Sequence, residues 1–359
     1  MSRHDMIVIG ASAGGVEALI TVIGSLPADL PAAVFLVMHI PAQSPSLLPD
    51  ILNRAGWLHA IHPVDGQAIQ YGHIYVAPPD HHLLIEEGIV RIVRGPKENR
   101  HRPAIDPLFR SAARTYGTRV VGVILTGSMD DGTAGLLAIK RRGGEAIVQD
   151  PQNALFSSMP QSAIAHVEVD HVIQLSDIGP LLAQLVHEQA AEQGSFPVTE
   201  DMQMETKLTA MNMREGQNGE NVGTPSVFSC PECGGVLWEV QDGDLLRFRC
   251  RVGHAYVVDS VLAGQTEAVE EALWTALKTL EESASFSRRL ADDAHNGGKD
   301  RLAKRFGKRL QEAEKHAAAI RQVLAKSSMD AMLNTSADLV ANEKQESPAI
   351  SQDDPQNER

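Results

Sequence analysis

Three observations make this sequence read as a doubly wound, mostly parallel α/β domain followed by a small metal-binding ribbon and an antiparallel helical hairpin. Residues 1–188 alternate short apolar runs with amphipathic stretches, the rhythm of strand–helix–strand units. All three cysteines fall between positions 230 and 250. Beyond them, two amphipathic stretches flank the turn Asn296-Gly297-Gly298. The chain has 359 residues, which at about 150 residues per domain is room for two or three folded units.

In the first region strands are expected at Met6–Gly10, Ala33–Met38, His73–Ala77, Val120–Leu125 and Glu145–Gln149. Ile7-Val8-Ile9 and Val120 to Leu125 are continuously apolar, as in strands covered by helices on both faces. Helices are expected near Gly15–Ser25, Ser46–Ala55, Ile105–Thr115 and Gly132–Arg141, with a closing helix at Asp177–Glu188 and a hairpin at His82–Arg94 around Glu86-Glu87-Gly88. The first domain is thus residues 1–188. Residues 189–225, rich in Gln, Glu, Asn and Gly without sustained period, read as a linker. Residues 226–258 form the Cys-rich segment and 262–326 the helical hairpin, with Val269, Leu273, Leu277, Leu280 and Ala284 on one stripe and Leu302, Phe306, Leu310, Ala313, Ala317, Ile320 and Leu324 on the other. Residues 327–359 carry seven acidic and two basic residues and few large apolar ones, so a disordered acidic tail is expected.

Composition narrows the function. Apolar residues are 43%, charged 22% and aromatic 4%, within the range of globular proteins. Forty-six acidic against 32 basic residues give a formal charge of -14, which disfavours nucleic acid as a partner. The longest apolar run, Ala32 to Met38, is far below the ~20 residues of a membrane span, and residues 1–5 lack a signal-peptide pattern, so a cytoplasmic protein without direct membrane insertion is expected.

The first strand runs into Gly10-Ala11-Ser12-Ala13-Gly14-Gly15, the G-x-S-x-G spacing of a nucleophile elbow. Position 12 is not glycine, so this is not the dinucleotide fingerprint. A second strand ends at Met38-His39-Ile40-Pro41, and a third at Thr126-Gly127-Ser128-Met129-Asp130-Asp131-Gly132. Ligands of open parallel sheets bind beyond the carboxyl ends of the strands, where Ser12, His39 and Asp131 can converge. Each alone also fits a plainer role: a capping serine or phosphate loop, a core histidine, a helix N-cap. Together they are a hydrolytic triad, with His39 taking the Ser12 proton and Asp131 holding the imidazole. The order Ser, His, Asp disfavours the α/β-hydrolase fold.

The stretches Ile9 to Ala18, Met38 to Pro41, Gly72 to Pro78, Asn99-Arg100-His101-Arg102-Pro103, Ile124 to Gly127 with Asp131-Gly132, and Ser158-Met159-Pro160 resemble the catalytic domain of the CheB-type chemotaxis methylesterases. The resemblance spans Met6 to Leu175 and implies Ser12 as nucleophile, His39 as general base and Asp131, which directly precedes the glycine, as the orienting carboxylate. It further implies hydrolysis of glutamate γ-methyl esters on methylated chemoreceptor helices, with glutamine deamidation open to the same acyl-enzyme route. Where the family often has threonine and methionine, this chain has Ala13 and Ser128, which leaves oxyanion binding to backbone amides. Family members usually begin with a receiver domain; this sequence opens on the catalytic strand, so phosphorylation control within it is not expected. The alternative is a catalytically degenerate scaffold that binds through its C-terminal extension.

Cys230-Pro231-Glu232-Cys233 and Cys250-Arg251-Val252-Gly253-His254 supply a Cys₃His set, and the apolar runs between them, joined at Asp242-Gly243, read as a hairpin that unites the two knuckles. A structural Zn²⁺ is expected at Cys230, Cys233, Cys250 and His254; four protein ligands leave no open position, so no cofactor is expected in catalysis. Arg247, Arg249 and Arg251 alternate along a short strand and read as a solvated face. The extension is expected to dock on an unidentified partner or on the catalytic region.

Overall fold

The computed structural model describes residues 2–192, 196–210 and 223–343. They belong to two units, Met1–Gly264 and Gln265–Arg359.

The first unit is built on seven parallel strands: β1 (Met6–Ala11), β2 (Ala33–Met38), β3 (His59–Ile61), β4 (His73–Val76), then, after the hairpin β5 (His82–Glu86) and β6 (Ile89–Val93), β7 (Val120–Ile124), β8 (Glu145–Gln149) and β9 (His171–Ile173). Their order is β3-β4-β2-β1-β7-β8-β9, so the chain switches direction at β1, between β2 and β7. Helices α1 (Gly15–Gly24), α2 (Leu48–Ala55), α3 (Ile105–Tyr116), α4 (Thr133–Arg141), α5 (Ser158–His166) and α6 (Leu175–Leu185) cover both faces. Ile7 and Ile9 face Leu19 and Ile23 of α1 and Leu182 of α6; Val8 and Phe35 face Phe109 of α3 and Leu136 of α4. Burial on both faces explains why β1 and β7 carry no alternating polar residues. Helix α3 lies so close to β1 that a Cβ on Gly10 would come within 2.5 Å of Ile105.

After α6 the structure departs from the expected linker, because Glu200–Ala210 forms a helix, α7. Residues 211–222 of that linker lie outside the described residues. The Cys-rich segment is a four-stranded antiparallel sheet of β10 (Thr224–Ser229), β11 (Val236–Asp242), β12 (Leu245–Cys250) and β13 (Ala255–Val257). Its small core of Leu237, Phe248, Tyr256 and Val261 surrounds two of the cysteines.

Helices α8 (Val258–Asn296) and α9 (Asp300–Glu343) follow. In the second unit they run antiparallel, with Glu281 paired to Arg321 and Arg288 to Glu314, around Leu277, Ala317 and Leu324. Helix α9 continues through residues 327–343, where the composition suggested disorder; the rest of that expected tail, 344–359, lies outside the described residues. No described helix is long and apolar enough to cross a membrane.

Candidate active site

Three strand ends converge at the switch point. Ser12 follows β1 and is pinned by its amide to Thr126 O at 3.0 Å, and Gly14, at φ 71, makes the left-handed turn into α1 that glycine allows. His39 follows β2, and its amide donates to Ala11 O at 3.3 Å. Asp131 lies in the loop between β7 and α4. The Ser12 hydroxyl stands 3.0 Å from His39 Nδ1, and Asp131 Oδ2 accepts from His39 Nε2 at 2.7 Å. The ring presents its nitrogens in the reverse sense to the serine-protease template, yet the relay of hydroxyl, imidazole and carboxylate is the same. Among the described residues, the Ala13 and Gly14 amides that follow Ser12 donate to no group of the chain.

Asp131 is 2% exposed, and its charge is well provided for. Besides His39, its carboxylate accepts from the Ile105 amide at 2.7 Å, the Asp106 amide at 3.2 Å and Asn99 Nδ2 at 2.8 Å. Two of these donors are the first amides of α3, whose dipole also favours an anion there. Burial pushes this carboxyl up, but the hydrogen bond and charge of His39, with the Ile105 amide, outweigh it and hold Asp131 low. The neighbouring Asp106 is driven the other way, raised by burial and by the charge of Asp131. The negative charge of this buried pair therefore sits on Asp131, against the imidazole.

Asn99 and His101, to which sequence reasoning assigned no role, are brought into the site by the fold. The His101 ring stacks on His39 with centroids 3.6 Å apart, and burial together with His39 holds it down to about 3, so it remains neutral. Asn99, at φ 47, occupies the left-handed region that asparagine tolerates. Their signal was the run Asn99-Arg100-His101-Arg102-Pro103 lying just before a helix that points at the strand ends. Asp130 does not reach His39; it faces the C-terminal extension.

The cysteine-histidine cluster forms a second centre. Cys230, Cys233, Cys250 and His254 bring their ligand atoms within 4.8 Å of one another. Cys233 Sγ and Cys250 Sγ are 3.7 Å apart, and His254 Nδ1 is 3.7 Å from Cys230 Sγ and 3.5 Å from Cys250 Sγ. A tetrahedral ion with metal–sulfur bonds of about 2.3 Å needs sulfur–sulfur edges of about 3.8 Å, whereas a disulfide needs about 2 Å. The spacing suits a metal and not a disulfide. Cys230 is held low through its contact with Cys250, which is pushed up in turn; a divalent cation would take both as thiolates. Gly234 and Gly253, at φ 70 and 106, turn the two knuckles.

The arginines of β12 correct the expectation of a solvated face. Arg247 and Arg249 are 12% and 5% exposed at their side chains and turn inward onto the catalytic region, whereas Arg251 is exposed. Arg247 Nη1 donates to Glu205 of α7 at 2.9 Å, and Arg249 approaches Glu98 at 3.5 Å. Arg110 of α3 joins both acids, at 2.7 Å to Glu98 and 3.2 Å to Glu205, and Thr209 donates to Glu98 at 2.6 Å. Burial would raise Glu98 and Glu205, but the arginines hold both low. The ribbon is thus joined to the sheet domain through a buried network of three arginines and two glutamates.

Residues 7–182 match the family model described as CheB methylesterase. The chain is 37% identical over 189 residues to a Ralstonia nicotianae protein-glutamate methylesterase/protein-glutamine glutaminase, covering 51% of this chain and 49% of that one. Its identity to a Yersinia pestis protein of the same name is 40% over 195 residues, 53% of this chain and 56% of that one. The chain thus spans about half the length of these two relatives. A Leptospira interrogans protein assigned the same two activities is 40% identical over 184 residues, 51% of this chain but 95% of its own length. With nearly the whole of that relative matched, and with its own strand ends converging as described, the chain belongs to the CheB methylesterase family.

Proposed function

We propose that this chain is a serine-dependent carboxylic ester hydrolase that removes methyl groups from glutamate γ-methyl esters on chemoreceptor-type helices. The relay from Ser12 through His39 to Asp131, at 3.0 and 2.7 Å, carries this reading. Ser12 Oγ attacks the ester carbonyl as His39 takes its proton, and the anion that forms on the carbonyl oxygen meets the amides beyond Ser12. Collapse expels methanol, protonated by His39, and leaves an acyl-enzyme on Ser12 that water hydrolyses to glutamate. Asp131 stays ionised and stabilises the imidazolium. A glutamine side chain entering the same site would lose ammonia instead, in keeping with the double name of the relatives. The relatives' names support the protein substrate, and family membership supports a role in chemotactic signal adaptation.

In this reading Cys230, Cys233, Cys250 and His254 hold a structural Zn²⁺ that folds the ribbon and takes no part in hydrolysis, because all four positions of a tetrahedral ion are filled by the protein. The deciding experiment follows methanol release from methylated receptor. Ser12→Ala should lower kcat by at least about 10³-fold with the melting temperature unchanged. Turnover within tenfold of wild type would refute the assignment.

A further inference from the structure

The extension reaches the triad from behind. Asn99 N donates to Ala255 O at 2.7 Å, so β13 lies along the loop that precedes α3. Val257 N then donates to Asn99 Oδ1 at 3.0 Å, while the other end of that side chain, Nδ2, donates to Asp131 Oδ1 at 2.8 Å and Asp106 Oδ2 at 2.7 Å. Three residues further on, Ser260 Oγ donates to Asp130 Oδ1 at 2.6 Å and the Asp259 amide to Asp130 Oδ2 at 3.1 Å. Asp130 is 1% exposed, and residues 259 and 260 satisfy both of its oxygens.

We propose that residues 255–260 are a strap that fixes the triad carboxylate, with Asn99 as its relay, so that the C-terminal extension is a positioning part of the active site. This rests on the assignment of Asp131 above. The chemistry requires Asp131 to present one oxygen to His39, and the donors on its other oxygen set that rotation. The Val257 amide turns the oxygen of Asn99 toward the ribbon and hence its nitrogen toward Asp131. The grip on Asp130 holds the adjacent residue of the same loop, so two consecutive carboxylates are gripped from one segment. A docking surface that served only stability would be satisfied by apolar contact, which is present separately where Leu245 and Val257 meet Ala134 of α4.

The test uses the full-length protein with Ser260→Ala and Asn99→Ala. It reads steady-state kinetics on methylated receptor and hydrogen exchange in the stretch 104–106, where the Ile105 and Asp106 amides donate to Asp131. Asn99 and Ser260 are both buried, at 2% and 1% exposure, so kcat should fall with KM unchanged: about three- to tenfold for Ser260→Ala and more than tenfold for Asn99→Ala. Exchange at 104–106 should accelerate in both. Wild-type kcat in both variants, a loss confined to KM, or a kcat loss with unchanged exchange would each overturn the strap. Should Asn99→Ala fail to fold, Ser260→Ala, which deletes one oxygen, decides alone. Ser12→Ala measured alongside separates the two ideas: an active Ser12→Ala removes the triad assignment itself, whereas an inactive one beside wild-type strap variants removes the strap only.

Discussion

The parallel sheet and the ribbon solve the problem of holding a chain together in opposite ways. In the sheet, β1, β2 and β7 are buried on both faces against α1, α3, α4 and α6, and the cohesion is apolar area removed from water, about 25 cal/mol per Å². The ribbon has few apolar residues, around Leu237, Phe248 and Tyr256, and is built instead around four side chains that could hold a metal ion and a network of buried ions. The first kind of cohesion ignores chelators and is little affected by pH; the second depends on both. The proposed nucleophile stands on the resistant region, while Asn99, which donates to the carboxylate behind it, accepts in turn from Val257 of the sensitive one.

The largest effect that would sharpen this contrast is metal removal. Ligand binding and folding are one equilibrium in small zinc domains, worth about 10–16 kcal/mol in isolated fingers. A strong chelator should therefore abolish exchange protection across residues 226–258 and perturb the fluorescence of Trp238, the tryptophan of β11, while β1 and β7 keep their protection. Simultaneous loss of protection in β7 would show that the two regions are a single cooperative unit.

Next in size is the ionic junction. Glu205→Ala leaves Arg110 and Arg247 buried with one carboxylate fewer, and breaking a buried pair from one side costs about 3–5 kcal/mol. Because the arginines hold Glu205 below the usual carboxylate range, its contribution is present above the ordinary glutamate pKa and is lost as pH falls through the depressed value. Acid should thus loosen the ribbon from the sheet in wild type, and Glu205→Ala should show it already at neutral pH, as faster exchange in β12 and α7. A variant as stable as wild type in chemical denaturation would show that the junction is no more than a neutral contact.

How far these regions could be read from sequence follows from the same contrast. Apolar cohesion leaves a periodic trace, so β1, β2, β7 and β8 were legible, as was the meeting of Ser12, His39 and Asp131 at their ends. The edge strands β3 and β9 have three residues each, too short for a pattern, and α5 is broken in pattern by Pro160. Helix α7 was invisible for a different reason. Its buried face consists of Met202, Glu205, Thr206 and Thr209, mostly polar residues whose partners, Arg110, Arg247 and Glu98, lie far away in sequence. Arg247 and Arg249 misled equally, because alternation along a strand marks two faces without saying which one meets protein. The cysteine spacing was legible because ligand geometry is local; the docking of the ribbon was not, because ion pairs between distant segments leave no periodic mark.

The smallest effect concerns Asp130, where the two regions touch. Burial lifts its pKa to about 6, the Ser260 hydrogen bond opposing this only in part while Asp259 and Asp131 add to the rise. Between the unfolded value near 4 and this folded value, the native protein holds a proton that the unfolded chain has released, so stability falls as pH rises through that window. Above about pH 6 the whole cost of the buried charge is present, up to about 3 kcal/mol. Asp130→Asn has no such titration. Its amide faces the Asp259 amide less favourably than a carboxylate does, but by an amount independent of pH, so the informative quantity is the change of the difference. The melting temperature of Asp130→Asn minus that of wild type should become more positive from pH 5 to pH 8. An equal difference at both pH values would mean that Asp130 stays charged throughout, and that the junction between sheet and ribbon holds this carboxylate as comfortably as water does.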